Sequence, residues 1–175
     1  MAKSGRTIRT EICIIGSGPA GLMAALAAAN HTQARISVVE SNTNPGRKLL
    51  ITGGGRCNLT HDCSVQQFLR DCEPYSRFLR HAIYSFSPAD TCAFFNRLGL
   101  DTVIQPDHCV FPASDRAVDV LEALLNAIKR HSNVSFCYGK AVKTVTRCPR
   151  ENTFTVSTEA DSFRVIADTL ILAAG

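Results

Sequence analysis

Apolar residues fall into two kinds of run along this chain. Ile12 to Ile15 is continuously apolar and rich in β-branched side chains, as a strand buried on both faces requires, and a strand is expected over Ile8 to Ile15. Gly16 ends it. Pro19 then opens a stretch of small apolar residues reaching Ala29, which predicts a helix able to lie close to a sheet. Arg35 to Glu40 (RISVVE) is the next strand, so the first forty residues spell β-α-β, a unit whose parallel strands cross over right-handed. From Ser41 to Thr60 no period survives, only glycines and turn residues, and a loop of that length is more often functional than filler.

Farther along, Ser87, Pro88 and Asp90 predict a helix start that runs through Phe94, Phe95 and Leu98 to a stop at Gly99. A second helix is expected with Ser114 as its cap, Asp115 and Asp119 in its first turns, Val118, Leu121, Leu125 and Ile128 at helical spacing, and Lys129, Arg130 and His131 in its last turn. Beyond Asn133 the period shortens to β segments: Val134 to Tyr138, Ala141 to Thr146, Phe154 to Thr158, Phe163 to Ile166 and Thr169 to Ala173. The three middle segments predict a small antiparallel meander between parallel strands. The fold class expected is α/β, Rossmann-like, with a parallel sheet, a small meander and a helical insert at about residues 62–131.

Composition narrows the class without changing it. With 175 residues, 45% of them hydrophobic and 19% charged, the chain has the balance of a packed globular domain and room for one ordinary core. The net charge of +4 is scattered, which gives little support to a nucleic-acid partner. The eight cysteines form no CxxC pair and no tight framework, so reduced thiols in a cytoplasmic protein are expected. Glu11, Gly16, Gly18 and Pro19 interrupt what would have to be the apolar core of a signal peptide, and no stretch is long and apolar enough to span a membrane.

Gly16-Ser17-Gly18-Pro19-Ala20-Gly21 is G-x-G-x-x-G between an expected strand and an expected helix, the context in which that motif binds a dinucleotide. The first glycine permits a tight turn, the second lets backbone approach a pyrophosphate, and the third lets helix and strand pack closely. The helix start offers N–H groups to the anion. Glu40, nineteen residues after Gly21 at the end of the second strand, is placed to accept hydrogen bonds from ribose hydroxyls. These residues do not separate FAD from NAD.

The run Gly46-Arg47-Lys48-Leu49-Leu50-Ile51-Thr52-Gly53-Gly54-Gly55-Arg56-Cys57-Asn58-Leu59-Thr60 resembles the BaiN-like (YhiN-like) family of bacterial NAD(P)/FAD-dependent oxidoreductases, some of which are labelled aminoacetone oxidases. Val110-Phe111-Pro112-Ala113-Ser114, with Ala117 and Val120, resembles the next signature of that family, and Asp168 to Gly175 (DTLILAAG) its closing strand. Two positions depart from it: His108 and Cys109 stand where many relatives have Gly-Arg, and Ala174 where a Thr is frequent.

The resemblance implies FAD as cofactor, NAD(P)H as an electron donor, and hydride transfer between donor or substrate and flavin. It implies cofactor-binding roles for Gly16, Gly18, Pro19, Ala20, Gly21 and Glu40, and for Lys48, Thr52, Gly53, Gly55, Arg56, Cys57 and Asn58. The glycines clear space for a planar ring, while Arg47, Lys48 and Arg56 can neutralise phosphate or a reduced flavin. Arg56 and Asn58 are the candidates nearest the chemistry; no catalytic residue is assigned. Cys57 is expected to pack under the loop as a small apolar side chain rather than to pair with Cys63 in a redox couple, and His61, Asp62 and Cys63 to be solvated rather than to bind metal. The partner expected is an unidentified small-molecule substrate, with no membrane. The chain is also expected to be C-terminally incomplete, lacking a substrate domain and a returning FAD-domain segment, and to be inactive alone. The alternatives are a non-catalytic FAD- or nucleotide-binding module and a reductase of ribosomal RNA uridine.

Overall fold

In the computed structural model, residues 5–158 and 163–175 are described. In chain order the elements are β1 (Arg6–Ile15), α1 (Pro19–His31), β2 (Ile36–Val39), β3 (Thr60–His61), α2 (Val65–Asp71), α3 (Ser76–Ser85), α4 (Pro88–Arg97), β4 (Thr102–Ile104), β5 (Cys109–Pro112), α5 (Ala117–Lys129), β6 (Val134–Cys137), β7 (Val142–Cys148), β8 (Thr153–Thr158) and β9 (Phe163–Leu172). They divide into two compact units, one formed by the chain up to Lys48 and from Leu124 onward, the other by Leu49–Ala123.

The first unit is built on a six-stranded sheet in the order β6-β2-β1-β9-β8-β7. The strands β6, β2, β1 and β9 are parallel, and β8 and β7 continue the sheet antiparallel. Ile14 is wholly buried and faces Val38 on one side and Ile171 on the other, which is why β1 carries a continuous apolar run. Cys13, Ile15, Val39, Val156, Val165 and Ala167 belong to one buried apolar cluster of this unit. The buried side of α1 is Gly21, Leu22, Ala25, Leu26 and Ala29, so small residues at helical spacing bring this helix close to its neighbours.

The meander is present as expected, as β7, β8 and the start of β9, but it forms one edge of the main sheet. The two segments expected at Phe163 to Ile166 and Thr169 to Ala173 are one strand. Arg6 opposite Phe163 and Ile15 opposite Leu172 share one register, and the ladder skips exposed Asp168 without shifting it. The first half of β9 is flanked by β1 and by β8, the latter pairing only as far as Ala167.

The second unit holds a three-stranded antiparallel sheet, β3-β5-β4, beside α2, α3 and α4. None of these short strands was expected from the apolar pattern, since each has between two and four residues and too few turns of the alternation to show a period. By contrast α4 starts and stops where the sequence signals. The Ser87 hydroxyl accepts the Asp90 N–H at 3.1 Å, the Asp90 carboxylate accepts the Ser87 N–H at 2.9 Å, and Gly99 takes φ 83° after the helix. The expected cap at Ser114 is not formed. Asp115 sits at φ 58°, in the left-handed region, so helical geometry cannot begin before it and α5 starts at Ala117. The buried stripe of α5 is accordingly Ala117, Val120, Leu121, Leu124, Ala127 and Ile128, with Val118 and Leu125 on its half-buried flanks.

Replacing Ser87 by Ala removes one half of the capping box on α4 and should cost about 1 kcal/mol of stability. Urea unfolding of the variant should show a lower midpoint at an unchanged slope, and an unchanged midpoint would show that the cap contributes nothing.

Candidate nucleotide-binding site

The glycine turn joins β1 to α1, and its three glycines are required for three different reasons. Gly16 has φ 101°, and a Cβ there would stand 2.4 Å from the Ala173 carbonyl oxygen. Its N–H donates to the Val39 carbonyl at 2.8 Å while the Ala173 N–H donates to Ile15 at 2.8 Å, so three strand ends meet at this residue. Gly21 could carry no side chain either, since its Cβ would fall 1.9 Å from the Gly16 oxygen. Gly18 differs from both. It caps α1 with ordinary extended backbone, φ −73° and ψ −175°, and a Cβ there would meet nothing within 4 Å.

The fold therefore does not need a glycine at position 18. No side chain caps α1, Pro19 contributes no N–H, and no acidic residue occupies the first turn. A helix start with free N–H groups, beside a glycine that opens onto empty space, fits the pyrophosphate of a dinucleotide. Pro19 and Ala20 are exposed on this helix start.

Glu40 lies at the end of β2 and is 7% exposed. Its Oε2 accepts the Ser17 N–H at 2.8 Å and the Ser17 hydroxyl at 2.7 Å. Its Oε1 accepts the Asn42 N–H at 2.8 Å, the Asn42 side-chain amide at 2.7 Å and the Ser41 hydroxyl at 3.1 Å. Burial pushes the carboxyl up, but these donors outweigh it and hold the pKa at about 2 against an ordinary 4.5. Glu40 thus ties the glycine turn to the segment after β2, a role the motif alone does not reveal. Asn42 in turn accepts from the Arg47 guanidinium at 3.4 Å, and the Gly46 N–H returns to the Ser17 carbonyl at 2.9 Å. Lys48 reaches Gly175, where a Cβ would fall 2.7 Å from its Nζ.

The other loop singled out by sequence belongs to the second unit. Two 3-10 turns over Leu49–Gly55 are separated by a kink at Thr52, whose hydroxyl donates to the Leu49 carbonyl at 2.7 Å. Gly53, Gly54, Gly55 and Cys57 all have positive φ, between 55° and 90°. Gly53 packs against the Phe111 ring and the Asn58 N–H, whereas Gly54 faces open space. Arg56 places its guanidinium 4.2 Å from the centre of the Phe111 ring, donates to the Gly53 carbonyl and to Gln105, and forms an ion pair with Asp115 at 3.6 Å. Cys57 is 7% exposed, and burial pushes its thiol up, as a small apolar side chain under the loop requires. All eight cysteines are free.

The departure at His108 and Cys109 has a physical reading. His108 takes φ 63°, the left-handed conformation that a glycine in the resembled motif adopts without cost. Cys109, in place of arginine, puts its sulfur 3.6 Å from His61 Nε2 and accepts from the Asn58 amide at 3.5 Å. Sequence reasoning missed this pairing because the two residues lie far apart in the chain and meet only across β3 and β5. Among the described residues no group of three or more His, Cys, Asp or Glu could hold a metal ion, and no helix is long and apolar enough to cross a membrane.

The depressed Glu40 pKa makes stability depend on pH. Its folded value of about 2 lies below the unfolded 4.5, so the contribution is full above about 4.5 and is lost as pH falls toward 2. The shift corresponds to something on the order of 3 kcal/mol. Urea unfolding from pH 7 to pH 2.5 should therefore show wild type and Glu40→Gln converging as pH falls; parallel curves would show that Glu40 is not so held.

Residues 10–175 match the HI0933-like protein Rossmann domain. The 3-dehydro-bile acid delta(4,6)-reductase of Clostridium scindens is 36% identical over 166 residues, which are 94% of this chain and 39% of that protein. The ribosomal RNA dihydrouridine synthase of Escherichia coli is 27% identical over 167 residues, 95% of this chain and 40% of that protein. The chain thus spans about two fifths of the length of these curated relatives. Among solved structures, the E. coli quinol fumarate reductase subunit superposes with a TM-score of 0.67 at 15% identity, over 97% of this chain and 33% of that one. The NADP+-bound cyclohexanone monooxygenase of Rhodococcus sp. Phi1 superposes with a TM-score of 0.58 at 16% identity, over 97% and 26%. At such identities the likeness is one of fold. The glycine turn, the parallel sheet it closes and a match over nearly the whole length together establish that the chain belongs to the HI0933-like Rossmann-domain family, that of the BaiN- and YhiN-type FAD-dependent oxidoreductases.

Proposed function

We propose that this chain holds FAD for a reductase that takes hydride from NAD(P)H and delivers it to a small organic acceptor. The observation that carries the reading is Gly18, a glycine that the protein's own packing does not require and that opens the start of α1 to an incoming phosphate. The pyrophosphate would take the free N–H groups at the start of α1. The adenosine ribose would approach Glu40, and because both carboxylate oxygens are already paired, it must displace the Ser41 hydroxyl or an Asn42 donor from Oε1. Arg47 and Lys48, in the same unit as the glycine turn, are cations that could balance phosphate charge.

When bound, the flavin would supply two-electron transfer between a nicotinamide and the acceptor. The contribution of the protein is orientation. The positive-φ run Gly53-Gly54-Gly55 keeps backbone low over the open side of its loop, and Arg56, braced on Phe111 and Asp115, presents a fixed charge there. The name of the C. scindens relative points to an acceptor with a carbon–carbon double bond conjugated to a carbonyl, and we carry that substrate class to this chain. Steady turnover needs a substrate-covering part in addition to these residues, because hydride transfer depends on excluded water and a fixed acceptor.

Gly18→Ala should leave the melting temperature within about 2 °C of wild type, since its Cβ meets open space, while weakening FAD binding at least tenfold by fluorescence titration. Gly21→Ala, by contrast, should lose the fold outright, its Cβ falling on the Gly16 oxygen. If Gly18→Ala bound FAD like wild type, or if the wild type bound NAD tightly and no flavin, the assignment would fail. FAD bound tightly but never reduced by NADH or NADPH would leave a non-catalytic binding module.

A further inference from the structure

The large aromatic side chains exposed in the second unit, Tyr75, Phe78, Tyr84 and Phe86, all lie on α3 or at its two caps. Phe78 is 87% exposed and Tyr75 70%. Singly such rings are ordinary on a surface, but gathered on one helix they mark a face that meets something other than water. The fold uses only one side of α3. Ser76 is buried and Leu79 and Ile83 are half-buried, three residues that share a side at spacings of three and four. Tyr75, Phe78 and Ala82, at the same spacings, carry the apolar arc around the helix into solvent. Arg77, Arg80 and Tyr84 are exposed on the opposite, polar side, and His81 is exposed beside them.

Charge on this helix is one-sided as well. From Ser76 to Ser85 there is no carboxylate. The acids just before it are engaged locally, with Glu73 accepting the Ser76 hydroxyl and Asp71 accepting the Gln67 amide. Among the described residues neither Arg77 nor Arg80 has an ion pair. The exposed surface of α3 is therefore aromatic along one arc and uncompensated positive charge along the next.

That combination selects among occupants. A second copy of this chain fits poorly, because packing α3 on α3 would set Arg77 and Arg80 against their like. A nucleic-acid strand would use the rings and the arginines but would leave the aliphatic part of the arc, Leu79, Ala82 and Ile83, without a role. An anionic lipid surface uses both parts. We propose that α3 lies in the plane of such a surface, with Phe78 and Tyr75 entering the boundary between headgroups and acyl chains and Arg77 and Arg80 meeting lipid phosphates. The expectation of no membrane rests on the lack of a spanning segment, and a helix lying in the interface requires none. One short helix gives reversible, salt-sensitive attachment. The proposal uses α3 alone and is independent of the flavin reading.

Co-sedimentation of the 175-residue chain with vesicles tests it. The chain should pellet with equimolar phosphatidylcholine and phosphatidylglycerol and stay in solution with phosphatidylcholine alone. The double variant Arg77→Glu, Arg80→Glu should bind the anionic vesicles about tenfold or more weakly, and Phe78→Ser should also lose binding, with unfolding midpoints near wild type because all three side chains are exposed. The chain has no tryptophan, so Phe78→Trp supplies a single reporter. Its emission should shift to the blue on anionic vesicles and be quenched by brominated lipid, whereas Tyr84→Trp, on the polar side with Arg77 and Arg80, should be quenched far less. Equal pelleting with both vesicle types, pelleting with neither, variants that bind like wild type, or equal quenching at the two positions would each overturn the proposal. So would a dimer that Phe78→Ser dissolves, or capture of poly(U) without capture of vesicles, since either result gives this face to another occupant.

Discussion

The close approach of α1 to β1 sets the geometry of the first unit. The Gly16 carbonyl oxygen occupies the volume that any side chain at position 21 would need, and the Ala173 carbonyl occupies the volume that one at position 16 would need. Hard-sphere exclusion thus fixes where the helix starts relative to the strand ends, and the start of the helix is what presents free N–H groups to an anion. Glu40 completes the arrangement by hydrogen bonding rather than by packing. Its carboxylate gathers Ser17 from the turn and Asn42 from the segment after β2, so the acid at the end of the second strand braces the turn.

The β-α-β unit and the glycine turn were legible because their requirements are local. An apolar run, a proline at a helix start and glycines at fixed offsets describe backbone that neighbouring residues alone determine. The same holds for the Ser87 and Asp90 pair. What failed to show was decided elsewhere in the molecule. The strand β9 was read as two pieces because Asp168 breaks its apolar run, yet pairing with β1 carries the backbone straight through. The left-handed conformation of Asp115 displaced the expected helix cap at Ser114, and nothing in its residue type distinguishes it from an ordinary first-turn acid. The strands β3, β4 and β5 are too short to carry a period, so only their pairing defines them.

The candidate site divides the same way. Gly16, Gly18 and Gly21 could be assigned separate roles from the motif, and each glycine now has a distinct steric environment. The partners of Glu40 and the encounter of His61 with Cys109 could not be read from spacing. In the second case the sequence did leave a trace, since histidine stands where a glycine is common and cysteine where an arginine is common. The substitution is physically coherent as a pair. A non-glycine residue is tolerated at φ 63° by a short run of exposed turn, and the shorter side chain that follows lets the histidine across the ladder reach the sulfur.

The pairing of β9 with β1 has a bearing on how the molecule is made. The turn that presents the start of α1 is complete only when Ala173 donates to Ile15, yet these two residues lie far apart in the sequence. A nascent polypeptide leaving the ribosome can form the first helix and the two strands around it within the first forty residues. It must then wait for β9 to emerge before the second edge of β1 is paired. Until β9 has emerged, β1 has one open edge, and the nucleotide turn lacks the carbonyl that defines it. Any chaperone or cofactor assistance in forming this turn would therefore act only after β9 has emerged, on a motif translated well before it can be organised.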